Sequence, residues 1–223
     1  MGDDFRNRQC YAGEGADVAT RSGILETIIN ALTSSGYNQA ASEADATRSL
    51  VVGPVGRWVF VGDSAGGAEG GDSAAFDALT LTLSEALPVV DVQMSDTAAV
   101  HIHLYKDGAL LDRYGNAAFP FFRFKTEEEA AEFKGRPELW AEYLIPPHNA
   151  GELRKVWVQD WGAGAILSRT AEMFGWDSEL AFVGYTLDAE GLGIKYDEYL
   201  RIKNRRDLTE QTRQGFTELH FRK

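Results

Sequence analysis

This 223-residue chain contains almost no cysteine and no long apolar run. The single cysteine, Cys10, excludes an intramolecular disulfide and a cysteine-rich zinc site. No apolar stretch approaches the roughly 20 residues that span a bilayer, and the first ten residues are too polar for a secretory signal. We therefore predict a cytoplasmic protein without a membrane partner.

Basic residues are few, because 22 lysines and arginines stand against 34 aspartates and glutamates, which gives a net charge of −12. Nucleic acids and anionic membranes repel such a chain, whereas basic surfaces attract it. We therefore predict a protein partner with a basic surface, and no binding to nucleic acid.

The segment 201–223 is the exception, with seven basic and three acidic residues. One interpretation is a docking patch for an anion, and the other is a solvent-exposed end that pairs with the acidic body. The second interpretation is favoured.

The overall composition is that of a globular protein, with 44% hydrophobic, 11% aromatic and 25% charged residues. Residues 1–20 lack hydrophobic periodicity at their start, and we predict a loose N-terminal arm there. Residues 21–223 are long enough to bury a core without disulfides, and we predict that they form a single domain.

Short β-rich runs are adjacent in the sequence and are separated by short turns. The runs 49–52 and 57–61 predict one hairpin, and the runs 89–94, 99–105 and 109–114 predict three further strands. This arrangement predicts a largely antiparallel sheet that is built from hairpins.

Two turn sequences support that prediction. Asp107-Gly108, between two alternating runs, predicts a tight turn with positive φ. The segment 188–191 separates the run 185–187 from the run 194–196 and predicts a second hairpin.

Apolar residues at helical spacing predict two helices. The first has Ser22 as its N-cap and ends near Gly36, and the second has Ser73 or Asp72 as its N-cap and runs to Leu87. The region 120–180 is predicted to be either a helical subdomain or a layer that covers one face of the sheet. Its helices are predicted to begin near Thr126, Pro137 and Gly164. The predicted fold class is therefore α+β, with helices covering the sheet.

The sequence GDSAGG at positions 62–67 fits the G-x-S-x-G pattern around a nucleophilic serine. It resembles the GDSAGG motif of the hormone-sensitive-lipase branch of the α/β-hydrolases, which implies that Ser64 is the nucleophile. His220 with Asp188 or Asp197 would complete the triad. However, the 63 residues before Ser64 contain no histidine and are too few for the strands that precede the serine in that fold. A glycine-rich loop between a strand and a helix is the favoured interpretation.

His101 and His103 are two residues apart in a predicted strand, so their side chains project from the same face. Two imidazoles bind one metal ion when a third ligand joins them, and Asp91, Asp96 or His148 could take that role. The favoured interpretation gives both histidines a role on the solvent side of an amphipathic strand or in packing across neighbouring strands. We assign no catalytic, cofactor-binding or metal-binding residue from the sequence.

The chain contains the stretches LTLTLS (79–84), LYKDGALLDRY (104–114), GRPELWAEYL (135–144), TAEMFGW (170–176) and GYTLD (184–188). Together these stretches resemble a family of bacterial proteins to which no activity is assigned. The resemblance implies one contiguous unit over roughly residues 58–200, and it implies no chemistry.

These observations predict a non-enzymatic protein-binding module, for example an inhibitor or immunity protein whose acidic surface meets a basic toxin. Two alternatives stay open. One is a serine hydrolase that uses Ser64, and the other is a metal-dependent hydrolase that uses His101 and His103. No pattern in the sequence predicts a cofactor.

Overall fold

The structure is a computed structural model that describes residues 5–66, 72–95, 99–116, 127–159, 161–178, 180–185 and 215–223. Within these residues the chain forms one eight-stranded antiparallel sheet with covering helices, which confirms the predicted α+β fold. The strands are β1 (Phe5–Tyr11), β2 (Asn38–Gln39), β3 (Arg48–Val52), β4 (Trp58–Asp63), β5 (Val89–Ser95), β6 (Ala99–Lys106), β7 (Ala109–Gly115) and β8 (Thr217–Arg222).

The strand order is β2-β8-β3-β4-β1-β5-β6-β7. Strands β3 and β4 form the first predicted hairpin, in which Val52 is paired with Val61. Strands β5, β6 and β7 form an antiparallel meander, as the alternating runs predict. The hairpin and the meander lie on opposite sides of β1, which pairs with both β4 and β5.

The central position of β1 corrects the prediction of a loose arm at residues 1–20. The strand contains Arg6, Asn7, Arg8 and Gln9, so it has no run of apolar residues to mark it as a buried strand. Hydrogen bonds offset the burial of these polar groups. Asn7, for example, donates through Nδ2 to two backbone carbonyls of the segment 180–185.

The α-helices are α1 (Val18–Ser34), α2 (Ser73–Ala86), α3 (Glu127–Glu132), α4 (Ala150–Trp157) and α5 (Ala163–Phe174). Short 3-10 helices occur at Glu43–Asp45, Ser64–Gly66, Pro137–Tyr143 and Leu180–Phe182. Among the residues that the structure describes, no helix has the length and apolar character that crossing a membrane requires.

Helix α1 begins at Val18, before Ser22, the predicted N-cap. Its N-cap is Asp17, whose side chain accepts a hydrogen bond from the backbone N–H of Thr20 at 2.9 Å. The Thr20 hydroxyl in turn accepts from the backbone N–H of Asp17, which completes a capping box. The capping box uses threonine where glutamate or glutamine is usual, so the sequence signal is weak. Helix α2 begins at Ser73 and is capped by Asp72, which is one of the two predicted caps.

The helices form two layers, one on each face of the sheet. Helices α1 and α2 cover one face, and the 3-10 helix Pro137–Tyr143 covers the other together with α4 and α5. Leu79 and Leu83 of α2 are buried in the first core, whereas Trp140 and Phe174 are buried in the second. Of the two alternatives for the region 120–180, the covering layer describes these helices.

Several sequence predictions fall on residues outside the described part of the chain. These are the loop residues 67–71, the cap Thr126, the hairpin beyond Tyr185, and most of the basic segment 201–223. The end of that basic segment is described, and it forms β8. This strand pairs with β3 and β2 inside the sheet, and Glu218 and Arg222 on it are exposed.

The turn between β6 and β7 has the predicted backbone geometry. Asp107 has φ = 54° and Gly108 has φ = 72°, so both residues of this two-residue turn are left-handed. A side chain at position 108 would also lie close to α2, because a Cβ there would be 3.2 Å from Glu85 Cγ.

We expect the substitution Gly108→Val to lower the free energy of unfolding by about 1 kcal/mol or more, because a β-branched residue resists positive φ. The matched control is Gly23→Val, since Gly23 lies within α1 in open space. That control should leave stability within about 0.5 kcal/mol of the parent. Equilibrium denaturation with urea measures both values, and equal effects at the two positions would contradict a strained turn.

Candidate functional site

The basic side chains in the first half of the chain are withdrawn from its surface. Residues 1–105 contain five arginines, no lysine and fourteen acidic residues. None of the five arginines is exposed in the structure. They are Arg6, Arg8, Arg21, Arg48 and Arg57.

Two of these arginines share the carboxylate of Asp63 beneath α2. Arg8 donates to Asp63 Oδ2 through both terminal nitrogens at 3.1 Å. Arg48 donates to Oδ1 at 3.0 Å and to Oδ2 at 2.6 Å. The Asp63 side chain is 0% exposed, and burial opposes its ionisation. The two guanidiniums outweigh that effect and hold the pKa of Asp63 below its usual value.

A second ion pair fixes α2 farther along the sheet. Arg6 donates to the buried carboxylate of Asp91 at 2.6 to 3.1 Å and to Asp77 of α2 at 2.5 Å. Burial opposes ionisation of Asp91, but the nearby imidazole of His103 and the Arg6 guanidinium lower its pKa to about 2. Between the two networks, the ring of Phe76 lies 4.0 Å from the Arg6 guanidinium and 3.5 Å from that of Arg8.

The outer surface of α1 and α2 carries only acidic charge, because the arginines of this half are turned inward. We call this surface the acidic face. Glu26 is exposed on α1, and Asp77 and Glu85 are exposed on α2. The two N-cap residues, Asp17 and Asp72, are also exposed and extend the face to the start of each helix.

Two exposed leucines, which we call the leucine pair, lie where the acidic face meets β7. Leu81 is 38% exposed and Leu110 is 43% exposed. Leu81 precedes Glu85 by one helical turn, about 6 Å along α2. Leu110 follows Gly108, the neighbour of Glu85, by two residues, about 7 Å along β7. Both leucines therefore lie within a short distance of the point where α2 meets the turn between β6 and β7.

A cavity of about 340 Å³ lies on the other side of Leu110. Residues 110–113 of β7 form one wall, and Ala131, Glu132, Gly135 and Arg136 form the other. We call it the β7 cavity. Residues from the segments 104–114 and 135–144 meet at this cavity.

The carboxylate of Asp112 positions the second wall of the β7 cavity. It accepts hydrogen bonds from the backbone N–H of Arg136 at 2.6 Å, from Arg136 Nε at 3.0 Å and from Trp140 Nε1 at 2.7 Å. Arg113 forms an ion pair with Glu132 across the cavity. The charges that line the cavity are therefore paired with one another.

The sequence alone did not identify the leucine pair, although one signal was present. Leu79, Leu81 and Leu83 alternate with threonine, and in a helix the middle leucine must face away from its neighbours. Leu79 and Leu83 are buried, and Leu81 is exposed. A stripe of leucines at this spacing therefore predicts one exposed leucine once the segment is known to be helical.

The GDSAG residues have structural contacts that explain their identities. A Cβ at Gly62 would lie 2.9 Å from Val51 Cγ1, and a Cβ at Gly66 would lie 2.7 Å from the ring of Phe76. Asp63 is the carboxylate that accepts hydrogen bonds from both Arg8 and Arg48. Ser64 Oγ accepts a hydrogen bond from the backbone N–H of Ser49 at 2.9 Å. Close packing and hydrogen bonding therefore account for this motif.

His220 lies beside Ser49. Its Nδ1 is 2.9 Å from Ser49 Oγ, and its Nε2 is 3.4 Å from Glu218 Oε2. Ser49 is only 4% exposed and lies within β3, directly opposite His220 in the pairing with β8. The contact is a hydrogen bond across two strands. Asp188 and Asp197, the predicted acidic partners of His220, lie outside the described residues.

His101 and His103 lie on the same face of β6, as predicted, with ring centroids 5.9 Å apart. His103 Nδ1 is 3.7 Å from Asp91, whose oxygens are hydrogen-bonded to Arg6. Within the described residues, no three histidine, cysteine, aspartate or glutamate side chains are grouped so that they could hold a metal ion. Asp96 lies outside those residues, and His148 is at the start of α4, beside Glu152.

Comparisons of the chain with family models, with curated proteins and with solved structures found no match. The function is therefore argued from the described residues.

The substitution Asp63→Asn should lower the free energy of unfolding by about 3–5 kcal/mol, because it leaves two buried guanidiniums without their carboxylate. Asp77→Asn is the matched control. It also removes one arginine contact, but Asp77 is half exposed and Arg6 keeps its pairing with Asp91. The control should cost less than about 1 kcal/mol. Denaturant titration measures both, and a similar small loss at the two positions would show that the Asp63 network is not critical.

Protonation of His101 should destabilise the fold at mildly acidic pH. Burial, assisted by the neighbouring His103, lowers its pKa from 6.5 to about 4. Between these two pKa values His101 is protonated in the unfolded chain but neutral in the folded chain. The free energy of unfolding should therefore fall as the pH decreases from about 6.5 to 4. The substitution His101→Gln should flatten this part of the profile of unfolding free energy against pH. An unchanged slope in the His101 variant would refute the assignment.

Proposed function

We propose that this protein is a non-enzymatic protein-binding module that recognises a basic surface of its partner through the acidic face. One observation supports the proposal most directly. Every arginine before residue 106 is buried or half-buried in the described structure, so the exposed charges of α1 and α2 are all acidic. An inhibitor or immunity protein that covers a basic toxin is one form that such a module takes.

The physical role of the acidic face is to guide the encounter. Like charges spread over one surface produce a potential that attracts a basic partner and raises the association rate. At about 0.15 M salt the Debye length is about 8 Å, so added salt should weaken this attraction between exposed charges. Nucleic acid would be repelled by the same potential.

The test is affinity capture from the native host, followed by measurement of association rates with the captured protein. The variant Glu26→Lys with Glu85→Lys reverses two charges on the acidic face. We expect it to reduce the association rate by about tenfold at low salt and by less at high salt. The matched control is Glu152→Lys with Glu172→Lys, which reverses two exposed charges in the other helical layer. Equal losses in both variants, or a partner with an acidic surface, would contradict the proposal.

A further inference from the structure

We infer that the partner docks on the leucine pair and inserts an apolar side chain, flanked by lysine or arginine, into the β7 cavity. This inference rests on the proposed function, and it adds the centre of the interface and the chemistry of the segment that binds there.

Exposed apolar side chains indicate where the interface is centred. Five large hydrophobic side chains are exposed among the described residues, and two of them, Leu81 and Leu110, lie on α2 and β7, which approach one another where Glu85 lies beside Gly108. Interfaces are stabilised mainly by a few central apolar contacts that acidic or basic side chains surround. The leucine pair has this arrangement, because Glu85 and Asp107 are exposed at its border.

The lining of the β7 cavity favours an apolar side chain over a charged one. Its two arginines are already paired, Arg113 with Glu132 and Arg136 with Asp112. A charged group that entered would lose its hydration and would find those partners occupied. Leu110 and Leu111 instead offer apolar surface that becomes buried when an apolar side chain enters.

The backbone of β7 argues against addition of a partner strand at this edge. Gly115 donates its N–H to the carbonyl of Phe133 at 2.8 Å, and Arg136 Nη2 donates to the carbonyl of Leu111 at 2.6 Å. The residues 133–136 therefore already engage part of the outer edge of β7. A partner must bind here through its side chains.

The charge of the chain selects a basic segment over a second copy of the same protein. Two copies would each carry a net charge of −12, and their acidic faces would repel one another. Glu85 and Asp107 border the leucine pair, and neither forms an ion pair within the described residues. Lysine or arginine beside the inserted side chain would supply the missing partners.

The test uses three synthetic peptides of equal length and the full-length protein. The first is rich in lysine with one central phenylalanine, the second has serine in place of that phenylalanine, and the third has glutamate in place of lysine. Fluorescence anisotropy gives the dissociation constants at two salt concentrations. Amide chemical shifts in ¹H–¹⁵N spectra locate the binding site on the protein.

We expect the first peptide to bind in a salt-dependent manner and to shift the amides of Leu81, Leu110 and Arg113. The serine peptide should bind about tenfold more weakly, and the glutamate peptide should not bind. The variant Leu110→Ser should weaken the first peptide about tenfold, whereas Val18→Ser, at an exposed apolar position on α1, should not. Thermal unfolding of both variants verifies that each is folded.

The outcomes separate this inference from the proposed function. Equal, salt-dependent binding of the phenylalanine and serine peptides, with shifts on α1, would overturn the inference and leave the proposed function standing. Absence of binding by both lysine peptides would overturn both. Self-association of the chain, or binding of duplex DNA in place of the lysine peptides, would also overturn both.

Discussion

Asp63 is the carboxylate on which the contact between the sheet and α2 depends. It lies on β4 and accepts hydrogen bonds from Arg8 of β1 and Arg48 of β3, the two neighbouring strands. The same guanidiniums donate to the backbone carbonyls of Phe76 and Ala75 at the start of α2. One buried charge therefore fixes three strands and one helix. Removing Asp63 leaves two buried guanidiniums without a carboxylate, so both arginines depend on it.

This network also determines the charge of the surface. Arg8 and Arg48, which hold α2 to the sheet through Asp63, are buried and do not neutralise the outer side of that helix. The acidic face is thus a consequence of how the core is built. A chain with apolar residues at positions 8, 48 and 63 could pack as well, but its core would not require buried arginines. In the real protein the arginines are buried, so the acidic excess of the composition is concentrated at the acidic face.

The predictable parts of the fold are those in which burial and hydrophobicity coincide. Strands β5 and β6 alternate between apolar and polar residues, and Leu79 and Leu83 mark the buried side of α2, so the sequence predicts them correctly. Strand β1 was missed because its buried side chains include Arg8 and Asn7, which resemble surface residues until their partners are known. The partner of Arg8, Asp63, is 55 positions away in the sequence, and the nearer of the two partners of Asn7, Ala181, is 174 positions away. No local pattern contains that information.

Prediction of the candidate site from the sequence has the same limit, here at the level of single side chains. Leu81 could be placed outside from helical geometry alone, but Leu110 could not. In a regular strand, consecutive residues point to opposite faces. The pairing of β6 with β7 shifts register beside Tyr105, and both Leu111 and Asp112 contact the second helical layer. Leu110 is left exposed, and Asp112 is free to hold Arg136 and Trp140. The register shift between β6 and β7, which no sequence pattern predicts, therefore positions the β7 residues that line the cavity.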